Sequence, residues 1–332
     1  MNLIEILLPL LLLFALGAGM LAWFTRATAR RVEAALPPAG RLLDVAGTRL
    51  HVLERGAGPP LLLIHGLGAQ MQSFNYGMVE RLAVQFRVIA VDRPGSGYSE
   101  RAPGAAADVF TQAAAIAALL DALQLEPPLV VGHSLGGAVA LTLALDHPHR
   151  VAGLALVAPL AHAPAEAPAA FRALTIEAPR LRKLFAWTLA TPATITYGRA
   201  LLAQVFAPEA VPPDYATRGG GLLGLRPGAF LAASEDMQAL PDAMPVIEAR
   251  YPELKMPVAV LYGRDDRVLD WEANGQALVE KVAGASLQLV EGGHMLPVTQ
   301  AALTAAFIEQ AAQRVFGLQP DATKDGSRSG SS

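Results

Sequence analysis

The chain has 332 residues, a formal net charge of −3 and no cysteine. That balance gives no electrostatic case for nucleic-acid binding, and without cysteine there is no disulfide, thiolate metal site or thiol nucleophile. Charged residues make up 17% of the chain against a usual value of about 25%, and the mean hydropathy is +0.36, unusually apolar for a freely soluble protein.

The N-terminus carries part of that apolarity. Ile6 to Phe24 is an uninterrupted run without charge. At about 1.5 Å of helical rise per residue, its roughly 19 residues just span a hydrocarbon core of about 30 Å. Trp23 suits a membrane interface, and Arg26, Arg30 and Arg31 follow it. A cleaved signal peptide is the rival reading, but it normally opens with a basic segment, and the charge preceding this run is Glu5. The apolar residues also continue past Gly17-Ala18-Gly19, where a cut would be expected. An uncleaved single-pass anchor is therefore predicted, and the positive-inside rule puts its arginine side, with the rest of the chain, in the cytoplasm.

Beyond a short linker ending in Pro37-Pro38, Arg41 to Val45 and Arg49 to Glu54 flank Ala46-Gly47-Thr48 as a hairpin. Leu61 to Ile64 and Phe86 to Val91 are continuous apolar runs, as expected of strands covered on both faces, with room for a helix between them. Asp108 to Leu123 is predicted helical with Asp108 as N-cap. Leu129 to Val131 follows as a strand, Ala138 to Leu145 as a small-residue helix, and Val151 to Val157 as a further strand. Strands alternating with helices imply an α/β chain with a mostly parallel, doubly wound sheet.

From about Leu160 to Tyr251 the regularity lapses into prolines, scattered aromatics and the Gly219-Gly220-Gly221 cluster. Alternation resumes with strands at Val258 to Tyr262 and Leu287 to Val290 and a helix from Val298 to about Val315. The irregular block thus reads as a helical cap inserted into one sheet. The predicted organisation is an anchor and basic flank at 1–31, a linker at 32–40, a core in two parts at 41–159 and 252–316, a cap at 160–251 and a disordered tail at 317–332.

Gly132-His133-Ser134-Leu135-Gly136 lies between the strand at Leu129 and the helix at Ala138 and fits the G-x-S-x-G nucleophile elbow. So tight a strand-to-helix turn holds its serine at strained backbone angles, and side chains at the flanking glycines would collide. A serine hydroxyl needs a base beside it and an acid to orient that base. Of seven histidines, His294 alone follows the last predicted strand, in Glu291-Gly292-Gly293-His294, at the carboxyl end of the sheet where ligands bind in open α/β folds. Asp265 and Asp266, at the end of the preceding strand, are both candidates for the acid. Charge developing on a substrate oxygen would meet the backbone amides of Leu67, in His65-Gly66-Leu67-Gly68, and of Leu135. His65 and His133 precede glycines at strand ends and read as loop-holding residues rather than bases.

Five motifs, His65-Gly66-Leu67-Gly68, Asp92-Arg93-Pro94-Gly95-Ser96-Gly97-Tyr98-Ser99, Gly132 to Gly137, Gly263-Arg264-Asp265-Asp266 and Gly292-Gly293-His294, occur in the order found in the α/β-hydrolase superfamily. The chain resembles its serine esterase and lipase branch from roughly Leu42 to Val315, the cap excepted. The resemblance implies the α/β-hydrolase fold and selects Asp266, the fourth residue of its Gly-x-x-Asp run, as the acid. It makes Asp92 to Ser99 a structural loop. Leu67, where many relatives have an aromatic residue, and Asp270, near a position often held by proline, depart from the common pattern without touching Ser134, Asp266 or His294.

The expected activity is two-step hydrolysis of a lipophilic carboxylic ester, a monoacylglycerol or similar small molecule, with no metal or organic cofactor implied. Haloalkane dehalogenases and epoxide hydrolases would carry a carboxylate where Ser134 stands. A carbon–carbon bond hydrolase would use the same triad, and a membrane-tethered binding protein could keep the fold without catalysis.

Overall fold

A computed structural model describes residues 3–163 and 169–318. The predicted tail therefore falls almost wholly outside the described residues.

Helix α1 (Leu3–Ala35) opens the chain. It includes one helix long and apolar enough to cross a membrane, its apolar window unburied by the rest of the chain. The predicted linker at 32–40 is shorter than expected, because α1 continues through Ala35. Arg26 to Ala35 is built of arginine, alanine and other residues that a helix tolerates, and the break comes only as Pro37-Pro38 approaches. Val32 is buried, which gives this last part of the helix a packed face.

Among the described residues the sheet has eight strands: β1 (Arg41–Val45), β2 (Thr48–Arg55), β3 (Pro60–Ile64), β4 (Arg87–Val91), β5 (Leu129–His133), β6 (Gly153–Val157), β7 (Val258–Gly263) and β8 (Ser286–Val290). Their order is β1-β2-β4-β3-β5-β6-β7-β8, with β1 and β2 antiparallel to their neighbours and the rest parallel. Strand side chains alternate between faces, so Leu62 and Ile64 enter one buried cluster while Leu61 and Leu63 enter the other. A sheet covered on both sides accepts such unbroken apolar strands.

The helices follow from the connections. Between β3 and β4 lies only the short α2 (Met78–Leu82), after a 3₁₀ turn at Met71–Phe74. α3 (Val109–Ala122) begins where Asp108 accepts a hydrogen bond from the Thr111 amide at 2.7 Å. α4 (Leu135–Asp146) starts directly after Ser134 and is buried from Leu135 to Leu145. Near the C-terminus, α8 (Ala277–Lys281) precedes β8, and the predicted helix from Val298 is two: α9 (Leu296–Thr299) and α10 (Ala301–Phe316), parted at Gln300, whose φ of −132° is not helical. That numbering leaves α5 (Pro179–Phe185), α6 (Thr191–Phe206) and α7 (Pro227–Glu248) for the excursion between β6 and β7, here called the cap.

The second half of α7 is less of a cap than the sequence boundary at 251 implied. Leu240, Met244 and Ile247 join the main buried cluster, and α7 packs against α3 and α4. Its first half is tied to the core by charge. Arg93, fully buried, donates to Asp236 Oδ2 at 2.8 Å, and Arg101 reaches Asp236 Oδ1 at 2.6 Å. Asp236 side-chain exposure is 0%. Breaking a buried pair strands the remaining charge at a cost of about 3–5 kcal/mol. Asp236→Ala is therefore expected to lower the unfolding free energy by about that amount in urea titration, and a loss below about 1 kcal/mol would show the pair to be dispensable.

Candidate active site

Ser134 sits at φ +55°, ψ −123°, a conformation that costs a side-chain-bearing residue about 1–3 kcal/mol unless its surroundings enforce it. They do. Its amide donates to Val157 O at 3.1 Å, and its carbonyl accepts from Gly137 at 2.8 Å and Leu160 at 2.9 Å. The glycines leave no room for alternatives. A Cβ on Gly132 would stand 2.5 Å from Gly136 O, one on Gly66 would stand 2.9 Å from Ser134 Cβ, and one on Gly136 would overlap the carbonyls of Ile64 and His65.

His294 follows β8 on a loop whose Gly293 amide donates to both carboxylate oxygens of Glu209, each at 3.1 Å. Its Nδ1 lies 2.7 Å from Asp266 Oδ2. The other oxygen of Asp266 accepts from the amides of Val268 at 2.8 Å and Leu269 at 3.0 Å. With the carboxylate accepting, Nδ1 carries the proton and Nε2 is the basic nitrogen. Asp266 is thus the aspartate joined to His294. Asp270, by contrast, accepts from the Ala273 amide at 2.7 Å.

Ser134, His294 and Leu67 line one cavity of about 470 Å³, whose remaining wall is largely apolar cap, including Phe171, Phe185 and Phe230. Leu135 heads α4, where an amide has no carbonyl one turn earlier to pair with. The Leu67 loop is held from beneath by Arg93, which donates through Nε to His65 O and through Nη2 to Gly66 O, each at 3.0 Å. Its amide also donates to His65 Nε2 at 2.9 Å, so His65 Nδ1 is the protonated nitrogen and donates to Gly66 O at 2.8 Å. His133 Nε2 likewise donates to His294 O at 3.0 Å. Both rings hold loops.

A second histidine–aspartate pair shows what a purely structural one looks like. His51 Nδ1 is 2.7 Å from Asp92 Oδ2, but His51 Nε2 already accepts from Gly40 at 3.2 Å. Asp92 also accepts from the Met71 and Tyr98 amides, and both side chains are 2% exposed. Sequence reading passed over Arg93, Asp236 and Glu209. Arg93 stands in a quoted motif, whereas neither acid belongs to any local pattern.

Burial, aided by the Arg93 guanidinium at His65 and by His294 at His133, pushes both structural histidines down to about 3. They stay neutral when folded and protonate when unfolded, so the unfolded state binds more protons between their ordinary value of 6.5 and about 3. Stability is complete above that window and falls as pH drops through it, by up to about 1.4 kcal/mol per pH unit for each ring. A lower thermal midpoint at pH 5 than at pH 7 is expected, and an unchanged one would contradict the assignment.

The α/β hydrolase fold profile matches residues 59–301. A 2-hydroxymuconate semialdehyde hydrolase from Pseudomonas sp. (strain CF600) is 43% identical over 36% of this chain and only 44% of its own length. A 2-hydroxy-6-oxo-2,4-heptadienoate hydrolase from Pseudomonas putida is 29% identical over 71% of this chain and 82% of its own. The crystal structure of a membrane phospholipase A, described as a bacterial virulence factor, superposes with a TM-score of 0.66 at 25% identity, covering 95% of this chain and 99% of that one. With that profile, sheet order and elbow, the chain belongs to the α/β-hydrolase fold family.

Proposed function

We propose that the chain hydrolyses lipophilic carboxylic esters, of the monoacylglycerol kind, through Ser134, His294 and Asp266. The observation that carries this reading is the coincidence of a strained serine and an aspartate-paired histidine in one apolar cavity. The Ser134 hydroxyl adds to the acyl carbonyl as its proton passes to His294 Nε2. The resulting oxyanion meets the amides of Leu67 and Leu135, each donor being worth about 10²–10³ in rate. Collapse expels the alcohol with the proton from His294. Water then loses a proton to His294 and adds to the acyl-enzyme, and Ser134 departs with that proton restored. Asp266 keeps Nδ1 protonated and stabilises the imidazolium.

The same triad serves a carbon–carbon bond hydrolase, and the two pseudomonad relatives named above favour that second reading. A heptadienoate carries a carboxylate, and seating one away from water calls for a cationic partner. Among the described residues lining this cavity there is no lysine or arginine, which favours a neutral ester. The membrane phospholipase A likeness, extending over 95% of this chain, supports a lipid substrate and supports α1 as an anchor. Arg26, Arg30 and Arg31 then favour a cytoplasmic catalytic domain.

Ser134→Ala is expected to lose ester hydrolysis by more than about a thousandfold and to escape fluorophosphonate labelling. Asp266→Asn should lower kcat by about 10⁴ through the wrong tautomer. p-Nitrophenyl esters of graded chain length, assayed beside monoacylglycerols, read both variants. Turnover of vinylogous diketones but not esters would hand the site to the second reading. Protease added to intact spheroplasts should leave the catalytic domain whole, and its removal would reverse the orientation.

A further inference from the structure

The large exposed apolar side chains are not scattered. Beyond α1, the described ones are Leu42, Val84 and Val246 and then a cluster within the cap: Leu181, Leu184, Trp187, Leu189, Ile195 and Tyr197. The cluster lies on α5, on the π-turn Ala186–Ala190 and on the start of α6. Exposed Arg180, Lys183 and Arg199 are interleaved with it, with Glu177 the exposed acid just before. Leucine, tryptophan and tyrosine mixed with cations is the composition of a surface at the headgroup boundary of an anionic bilayer.

The position of α1 says what covers this face. α1 packs against Ala186–Ala190, against α6 and against the 3₁₀ turn Gly221–Leu225. Among its described residues the first that is fully buried is Thr25, which directly follows exposed Trp23 and Phe24 at the end of the apolar run. The helix therefore meets the cap at the level where its apolar stretch ends. Beyond that point the attachment is fixed. Glu33 lies 3.6 Å from Arg226, and Leu36 O accepts from the Tyr98 hydroxyl at 2.5 Å.

We propose that the cap face from Arg180 to Arg199 lies on the membrane that α1 enters, with its leucines and Trp187 in the headgroup–acyl boundary, so that lipid substrate passes from bilayer to cavity without crossing water. The occupant is an anionic lipid surface. The inference rests on reading α1 as a membrane anchor. The same segment walls the cavity through Phe185, Ala190, Ala193 and Tyr197, and Tyr197, 64% exposed, belongs to both surfaces.

The chain has three tryptophans, so Trp23→Phe with Trp271→Phe leaves Trp187 as the one reporter. The full chain is reconstituted in phosphatidylcholine vesicles containing phosphatidylglycerol and floated to establish anchoring. Floated protein should show Trp187 quenched by lipids brominated near the headgroup more than by lipids brominated near the bilayer centre. Quenching by aqueous iodide with none by bromolipid overturns the proposal, and so does protection from both with a dimer in sedimentation, which gives the face to a second copy. Failure to float overturns the anchor reading instead. A second arm needs catalysis. Leu181→Ser, Leu184→Ser and Leu189→Ser combined should slow hydrolysis of vesicle-embedded monoacylglycerol about tenfold and that of soluble p-nitrophenyl butyrate by less than about twofold. Equal losses on both substrates would overturn the delivery route.

Discussion

At Gly136 the first turn of α4 lies against the carbonyls of Ile64 and His65, and at Gly66 the same two segments meet again beneath Ser134. This backbone-to-backbone approach tolerates no side chain larger than hydrogen. It sets the loop that carries Leu67 beside the start of α4 at Leu135 and fixes the turn from which Ser134 projects. The strain at Ser134 persists because its amide and carbonyl are each claimed by a neighbouring segment.

Arg93 extends that constraint outward. One guanidinium ties the carbonyls of His65 and Gly66 to Gln112 on α3 and to Asp236 on α7. A buried cation of this kind is tolerable only while its partners surround it. The loop carrying Leu67 and the first half of α7 are thus held by one charge.

Much of this was legible in the sequence. The strands read directly, because a sheet covered on both faces needs no alternation, and Leu61 to Ile64 shows none. The elbow reads from its glycines, because Gly132 is pressed against the backbone of Gly136 within the motif itself and Gly136 against the preceding strand end at Ile64 and His65. Other features were silent for a physical reason. Asp265 and Asp266 have the same side chain, and spacing within the chain could not separate them; family resemblance did, and the pairing with His294 agrees with it. Asp236 and Glu209 act on groups 143 and 84 residues distant, so no local pattern marks them. The end of α1 was misplaced because Val32 to Ala35 contains no helix breaker, and proline arrives only at Pro37.

The continuity of α1 has a further bearing on how such a hydrolase would work. With α1 as the membrane anchor proposed above, a helix running unbroken from its apolar stretch to Ala35 and packed against the cap would leave no slack between the membrane and the rest of the chain. A protein on a flexible tether samples a hemisphere of solvent; this one would sample only the plane in which α1 diffuses. Its encounters with substrate would then be collisions in two dimensions, and for the lipophilic ester proposed above the concentration that governs the rate would be its mole fraction among the surrounding lipids rather than its molarity in the compartment.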